Sequence, residues 1–289
     1  MKYIHRFILG VLSVLFLIPT LFACQPSSQA GLGSSSEDGS NSSFIEDDSS
    51  EDNPASNAPS SPSMPDSTPS IPQTPTPSKN AQYLRITGDS VNLRSGAGTN
   101  YTVIGSGKMG ETYAVVGKQG AWYETYYRGK RVYVSASYVA LTTLSKSADE
   151  DVENVINEGY KLLGVPYVYG AVRVHDGNGK LLSGFTAQKF DCSSLVQYVF
   201  YKGAKTLLQV NTRTQVLQGK YVDKNALQRG DCIFFTNESR VHLSGIDRIG
   251  HVAIYLGDNY ILHTASDYAR IEKISASRWK YYVEARRFI

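Results

Sequence analysis

Three side chains in this sequence have the types and spacing for nucleophilic chemistry: Cys192, His251 and His263. Cys192 stands in Phe190-Asp191-Cys192-Ser193-Ser194, and the apolar residues at 195, 196, 199 and 200 repeat as one face of an amphipathic helix. Asp191 sits at the N-cap, so Cys192 is the first helical residue. It feels the positive end of the helix dipole, and its thiol is expected to ionise below the pKa of a free cysteine. Taken alone, the stretch suits an activated nucleophile and a core-filling cysteine about equally.

The two histidines come from a hairpin pattern. Gly250 to Leu256 reads as a strand, Gly257-Asp258-Asn259 as a turn and Tyr260 to Thr264 as the returning strand. Side chains alternate along a strand, so His251 and His263 project from the same face, close or diagonal to each other. A thiol nucleophile needs one imidazole as base and a second polar group to fix that ring's tautomer, and a same-face pair supplies both. His175 and His242 lack such a setting and read as exposed loop residues.

Around these residues the chain divides by composition. Lys2 and Arg6 precede an apolar run from Phe7 to Phe22 and then Leu21-Phe22-Ala23-Cys24, which resembles a bacterial lipoprotein signal. Residues 1–23 are therefore expected to be cleaved, Cys24 lipidated, and the protein held at the outer face of the cytoplasmic membrane. Residues 24–82, rich in Ser, Pro and acids, read as a disordered tether. Short strands with turn punctuation over 83–142 predict a small all-β barrel. Leu141 to Ser147 reads as a linker, and 146–289 as a second domain opening on a helix from Asp149 to Leu163. Between Ala171 and Lys189 a Gly-rich polar stretch reads as a surface loop or a turn between short strands.

The net charge of +3 conceals a division: residues 80–289 hold 26 basic and 18 acidic side chains, a net +8. Such a body suits an anionic polymer without choosing which one. Beyond Cys24 there are two cysteines, Cys192 and Cys232, with no C-x-x-C pair, so a zinc site fits poorly and no metal or cofactor is expected. In an oxidising compartment the two could also form a disulfide.

The blocks Pro166-Tyr167-Val168-Tyr169-Gly170, Phe190 to Val196, Arg229-Gly230-Asp231-Cys232-Ile233-Phe234-Phe235 and His251 to Gly257, with His263, resemble the NlpC-type peptidoglycan cysteine peptidases, circularly rearranged relatives of papain. The resemblance implies an α+β fold of N-terminal helices packed on an antiparallel sheet. It also implies Cys192 as nucleophile, His251 as general base and His263 as orienting residue, with Tyr167, Asp191 and Ser193 lining the substrate cleft. The family hydrolyses the γ-D-glutamyl to diamino acid bond of peptidoglycan stem peptides; the implied partners are those peptides and, through the lipid, the membrane, with no nucleic acid and a monomeric state. Val91 to Gly98 and Val132 to Val139 resemble the bacterial SH3-like domain, whose role here is wall binding or structural support. Ser194, Tyr169 and Arg229 replace the family's usual Gly, Trp and Pro, Tyr133 replaces the SH3-like domain's usual Trp, and 171–189 is longer than the common linker. Cys232 reads as core filler. A non-catalytic wall-binding lipoprotein is the alternative, disfavoured because a binding module has no need of all three site residues.

Overall fold

The computed structural model describes residues 78–289; the expected signal, Cys24 and nearly all of the tether lie outside them. The chain enters through β1 (Asn80–Ile86), three residues before the predicted barrel. It continues through β2 (Ser90–Arg94), β3 (Val103–Lys108), β4 (Thr112–Ala114), β5 (Gly117–Gln119), β6 (Trp122–Tyr127), β7 (Lys130–Ser135) and β8 (Val139–Ser145). The expected linker from Leu141 is mostly strand, because β8 pairs with the whole of β1, from Asn80–Ser145 to Ile86–Val139. Then come α1 (Glu150–Lys161), α2 (Cys192–Ala204), α3 (Thr212–Gln215), β9 (Lys220–Val222), β10 (Cys232–Phe235), β11 (His251–Gly257), β12 (Tyr260–Ala265), β13 (Tyr268–Lys273), α4 (Ala276–Trp279) and β14 (Tyr282–Arg287).

The predicted α+β class holds, and the strands before 146 are divided between two sheets. Five of them make a sheet in the order β3-β2-β7-β6-β5, while β8, β1 and β4 join a nine-stranded sheet that continues β13-β12-β11-β10-β14-β9. The junction is the pairing of Thr112 with Ile271. Adjacent residues Tyr83 and Leu84 are both fully buried, which a half-exposed strand does not allow, because β1 is covered on both faces. One core accordingly runs from Leu93, Tyr113 and Val132 through Ile156 and Leu163 to Phe200, Val252 and Leu262.

Two devices lock the helices to this sheet. Where α1 and α2 cross, a Cβ on Gly203 would lie 2.4 Å from the backbone nitrogen of Val155, so only glycine permits that approach. Arg229 is buried at the junction of β1, α1 and β11. Its Nε lies 2.6 Å from Glu153, its Nη1 donates to Tyr83 Oη and to Leu256 O at 2.9 Å, and its Nη2 donates to Tyr160 Oη at 2.9 Å. Tyr83 and Tyr160 also hydrogen-bond each other. A second core of Val222, Ile233, Phe235, Ala253, Ile261 and Ala285 lies on the other face of the sheet. β10 feeds both cores, Cys232 and Phe234 to one and Ile233 and Phe235 to the other, which explains its uninterrupted apolar sequence. Cys232 is thus core filler, and both it and Cys192 are free thiols.

Candidate active site

Asp191 caps α2 as its sequence requires: Oδ1 accepts the Ser194 N–H at 2.8 Å, and Ser194 Oγ accepts the Asp191 N–H at 2.9 Å, a reciprocal capping box. The serine that departs from the family pattern supplies half of this cap. Cys192 is then the first residue of the helix, half-buried, with the backbone amides of Val252 and Ser193 near its sulfur.

On β11 and β12, Ile254 pairs with Leu262, which puts His251 and His263 on one face, diagonal across the ladder. Their rings meet edge-on with centroids 5.0 Å apart, and His251 Nε2 is 2.8 Å from His263 Nδ1. Asp258 and Asn259, both at positive φ, make the tight turn that sets this register. Cys192, Tyr167 and His251 line one cavity of about 740 Å³, so the hairpin and the helix start converge.

Two members of the site were not visible in the sequence. Glu272 on β13 lies diagonal to His263, with Oε1 3.1 Å from His263 Nε2 and 2.9 Å from Arg278. Burial alone would raise the Glu272 carboxyl, but the His263 ring, Arg278 and Arg270 outweigh it and hold it at about 2. The contact is close but outside hydrogen-bond alignment; a carboxylate there still favours the His263 tautomer that carries its proton on Nε2. His263 Nδ1 is then a lone pair, His251 Nε2 donates to it, and His251 Nδ1 is left as a base. The second is Arg173, from the long stretch before the helix, whose Nη2 lies 2.8 Å from Asp191 Oδ2 and donates to Ser193 Oγ at 3.0 Å. The alternation of charge and apolar residue in Arg270-Ile271-Glu272-Lys273 was the only sequence signal for Glu272, and Arg173 gave none.

The electrostatics correct one expectation. Burial, then the Asp191 charge, push the Cys192 thiol up to about 12, outweighing the Val252 and Ser193 amides, Arg173 and the helix start. Burial, with His263 and Arg278, lowers His251 well below an ordinary histidine, and burial likewise lowers His263 despite Glu272. Both shifts favour the neutral forms of thiol and imidazole. His175 is also corrected: it is fully buried, its Nδ1 accepting the Gly177 N–H at 3.0 Å and its ring packed edge-on against Tyr201. The loop folds back on α2 and encloses it. His242 is exposed, as expected. Tyr167 lines the cavity, whereas Asp191 and Ser193 are nearly buried beneath a smaller neighbouring pocket. Among the described residues no cluster has the composition to hold a metal ion, and no helix is long and apolar enough to cross a membrane.

Residues 164–287 match the model of the NlpC/P60 family, and residues 89–140 that of the bacterial SH3 domain. A gamma-DL-glutamyl hydrolase of Bacillus subtilis is 30% identical over 52% of this chain and 32% of its own. A gamma-D-glutamyl-L-lysine dipeptidyl-peptidase of Bacillus cereus is 31% identical over 47% and 36%, and the peptidoglycan endopeptidase RipA of Mycolicibacterium smegmatis 29% identical over 46% and 25%. The chain thus spans about a third of the length of these curated relatives. A crystal structure of an NlpC/P60 family protein from Bacillus cereus aligns over 72% of this chain and 63% of its own, at 20% identity and a TM-score of 0.38. The chain carries an NlpC/P60 domain over residues 164–287, preceded by a bacterial SH3 domain over residues 89–140.

Proposed function

We propose that this protein is a cell-wall cysteine endopeptidase that hydrolyses the γ-D-glutamyl to diamino acid bond of peptidoglycan stem peptides. The observation that carries this reading is the hydrogen-bonded pair His263–His251, with Glu272 beside it, which presents an oriented imidazole in the cavity that Cys192 also lines. Similarity to proteins named as a gamma-D-glutamyl-L-lysine dipeptidyl-peptidase and a peptidoglycan endopeptidase supports the bond and the polymer.

Cys192 Sγ attacks the amide carbon while its proton passes to His251 Nδ1. The resting thiol is neutral, so proton transfer accompanies attack rather than preceding it. The oxyanion is stabilised by the Cys192 backbone N–H, a first-turn amide with no helical carbonyl to bond. His251 then protonates the departing amine as the C–N bond breaks, leaving a thioester. Water, deprotonated by His251, attacks the thioester and releases the acyl part as a carboxylate and the thiol. His263 orients His251 throughout, and Tyr167, Asp191 and Ser193 belong to the substrate cleft and its floor.

The protein acts as a monomer, exported and lipidated at Cys24, with residues 24 to 79 as the tether between membrane and folded body. The net charge of +8 over residues 80–289 suits the anionic wall. The test is mass spectrometry of defined muropeptides incubated with the protein and with its Cys192→Ala variant. Cleavage at the γ-D-glutamyl bond by the first alone is expected. Binding without cleavage by both would instead make it a non-catalytic wall-binding protein.

A further inference from the structure

The cleft has a second, smaller pocket of about 180 Å³ that shares Tyr167, Cys192 and Gly250 with the larger cavity and whose lining includes Arg173, Asp191, Arg213 and Arg240 but not His251. A leaving amine has to lie against His251, which lines the larger cavity, so the smaller pocket receives the acyl side of the scissile bond.

Asp191 is the one carboxylate in that lining, and it is already spent. Oδ1 accepts from the Ser194 N–H at 2.8 Å and the Ser193 hydroxyl at 3.1 Å. Oδ2 accepts from the Gly170 N–H at 3.1 Å and is paired with Arg173 at 2.8 Å. Its side chain is only 5% exposed. Arg173 is itself fixed by donating to Val210 O and Ala171 O, so a ligand ammonium could reach Asp191 only by displacing an anchored guanidinium. Arg213 and Arg240 remain. Neither pairs with a carboxylate among the described residues; Arg240 donates to the neutral carbonyl of Asp247 at 2.7 Å. The Arg173–Asp191 pair cancels, and the concavity is left with two uncompensated guanidiniums, an arrangement that favours an anion and disfavours a cation.

We propose that this pocket is a carboxylate subsite in which Arg213 and Arg240 hold the free α-carboxylate of the acyl residue. A γ-linked glutamyl residue carries that carboxylate on the same residue, across its side-chain methylenes from the bond to be broken, and a γ-linked isoglutaminyl residue carries a neutral carboxamide there. The subsite therefore selects the acid over the amide and has no receptor for a free α-amine. This rests on the endopeptidase reading for its substrate, but not for its charge preference.

The experiment uses the full chain and two γ-linked stem peptides that differ only in α-carboxylate against α-carboxamide. Turnover is read with the wild type and binding with Cys192→Ala. The carboxylate peptide is expected to be favoured by about tenfold or more in kcat/KM and in affinity, the scale of one charge-assisted hydrogen-bonded pair. The preference shrinks in Arg213→Gln and Arg240→Gln, and shrinks in the wild type as salt is raised. Acetylating the peptide's α-amine leaves kcat/KM within about threefold, well inside one tenfold step of affinity. Equal binding of the two peptides, or tighter binding of the carboxamide, overturns the subsite. Preferred binding of the carboxylate with no turnover of either peptide supports the subsite and overturns the endopeptidase reading instead.

Discussion

Glu272 biases proton positions through His263. Its carboxylate favours one His263 tautomer, and that in turn favours the His251 tautomer with its proton on Nε2. In Glu272→Gln the amide can present either a donor or an acceptor, so the His251 base is present for only part of the time; in Glu272→Ala it is not selected at all. We expect kcat to fall at least about tenfold in the alanine variant and less in the glutamine variant. The loss should stay below the ~10⁴ suffered when a triad loses its orienting carboxylate, because His263 still holds the ring. An unchanged kcat in Glu272→Ala would remove Glu272 from the relay.

Two pH dependences follow at the same scale. His251 must be neutral to act, and its pKa lies below the ordinary 6.5, so the acid limb of kcat/KM should fall below pH 6.5. Stability runs the same way: below pH 6.5 the unfolded chain protonates His251 and His263 while the folded one resists, so stability and Tm decline as the solution is acidified. Iodoacetamide labelling of Cys192 should climb through pH 7 to 9 without levelling, as a thiol near 12 demands. A plateau below pH 7 would mean a preformed ion pair. These residue-level features show where sequence stops being informative. Strand parity and helix capping are local, so Cys192, His251 and His263 could be brought together on paper. Glu272 depends on the register of a third strand, Arg173 and His175 on the path of a loop, and the thiol's neutrality on burial, none of which is written within a few residues of the group concerned.

At the scale of elements, the crossing of α1 and α2 holds Cys192 against the hairpin. Gly203→Ala would drive a methyl into the Val155 backbone, a contact no rotamer relieves. A destabilisation of about 1–3 kcal/mol is expected from chemical denaturation, the usual cost of overpacking, with activity per folded molecule reduced as the helix start shifts. The boundaries of these helices were legible because caps and faces are sequence-local: Asp149 and Asp191 cap α1 and α2 as their positions suggest. The pairing of β4 with β13 was not, since nothing in Thr112 or Ile271 names its partner.

Over the whole molecule, the strands before residue 146 buttress the nine-stranded sheet that carries His251 and His263. β4 pairs with the strand that carries Glu272, and Arg229 ties Glu153 and Tyr160 to Tyr83. Arg229→Ala leaves partly buried Glu153 without its guanidinium and the buried Tyr83 and Tyr160 hydroxyls without their donor, and should cost about 3–5 kcal/mol in denaturant unfolding, whereas Arg229→Met with Glu153→Leu should recover most of that loss. Removing residues 80–145 strips Tyr83, Leu84, Ile86 and Leu144 from the shared core, each worth about 1.5–3 kcal/mol, so the remainder should fail to give a cooperative unfolding transition. A truncated chain that unfolds cooperatively and cleaves soluble stem peptide at the full rate would show that the front half serves only to bind the wall.

The same continuity sets an order of events. Arg229 meets Tyr83 across 146 positions, Tyr268 meets Glu111 across 157, and β14 lies between β10 and β9 in the finished sheet. Contacts this distant cannot form while the chain is still emerging, and loop closure over such lengths is slow. The front strands must wait, incomplete, for β13, and β10 must wait for β14. The nine-stranded sheet on which the proposed nucleophile and base rest is therefore complete only when its last strand is delivered.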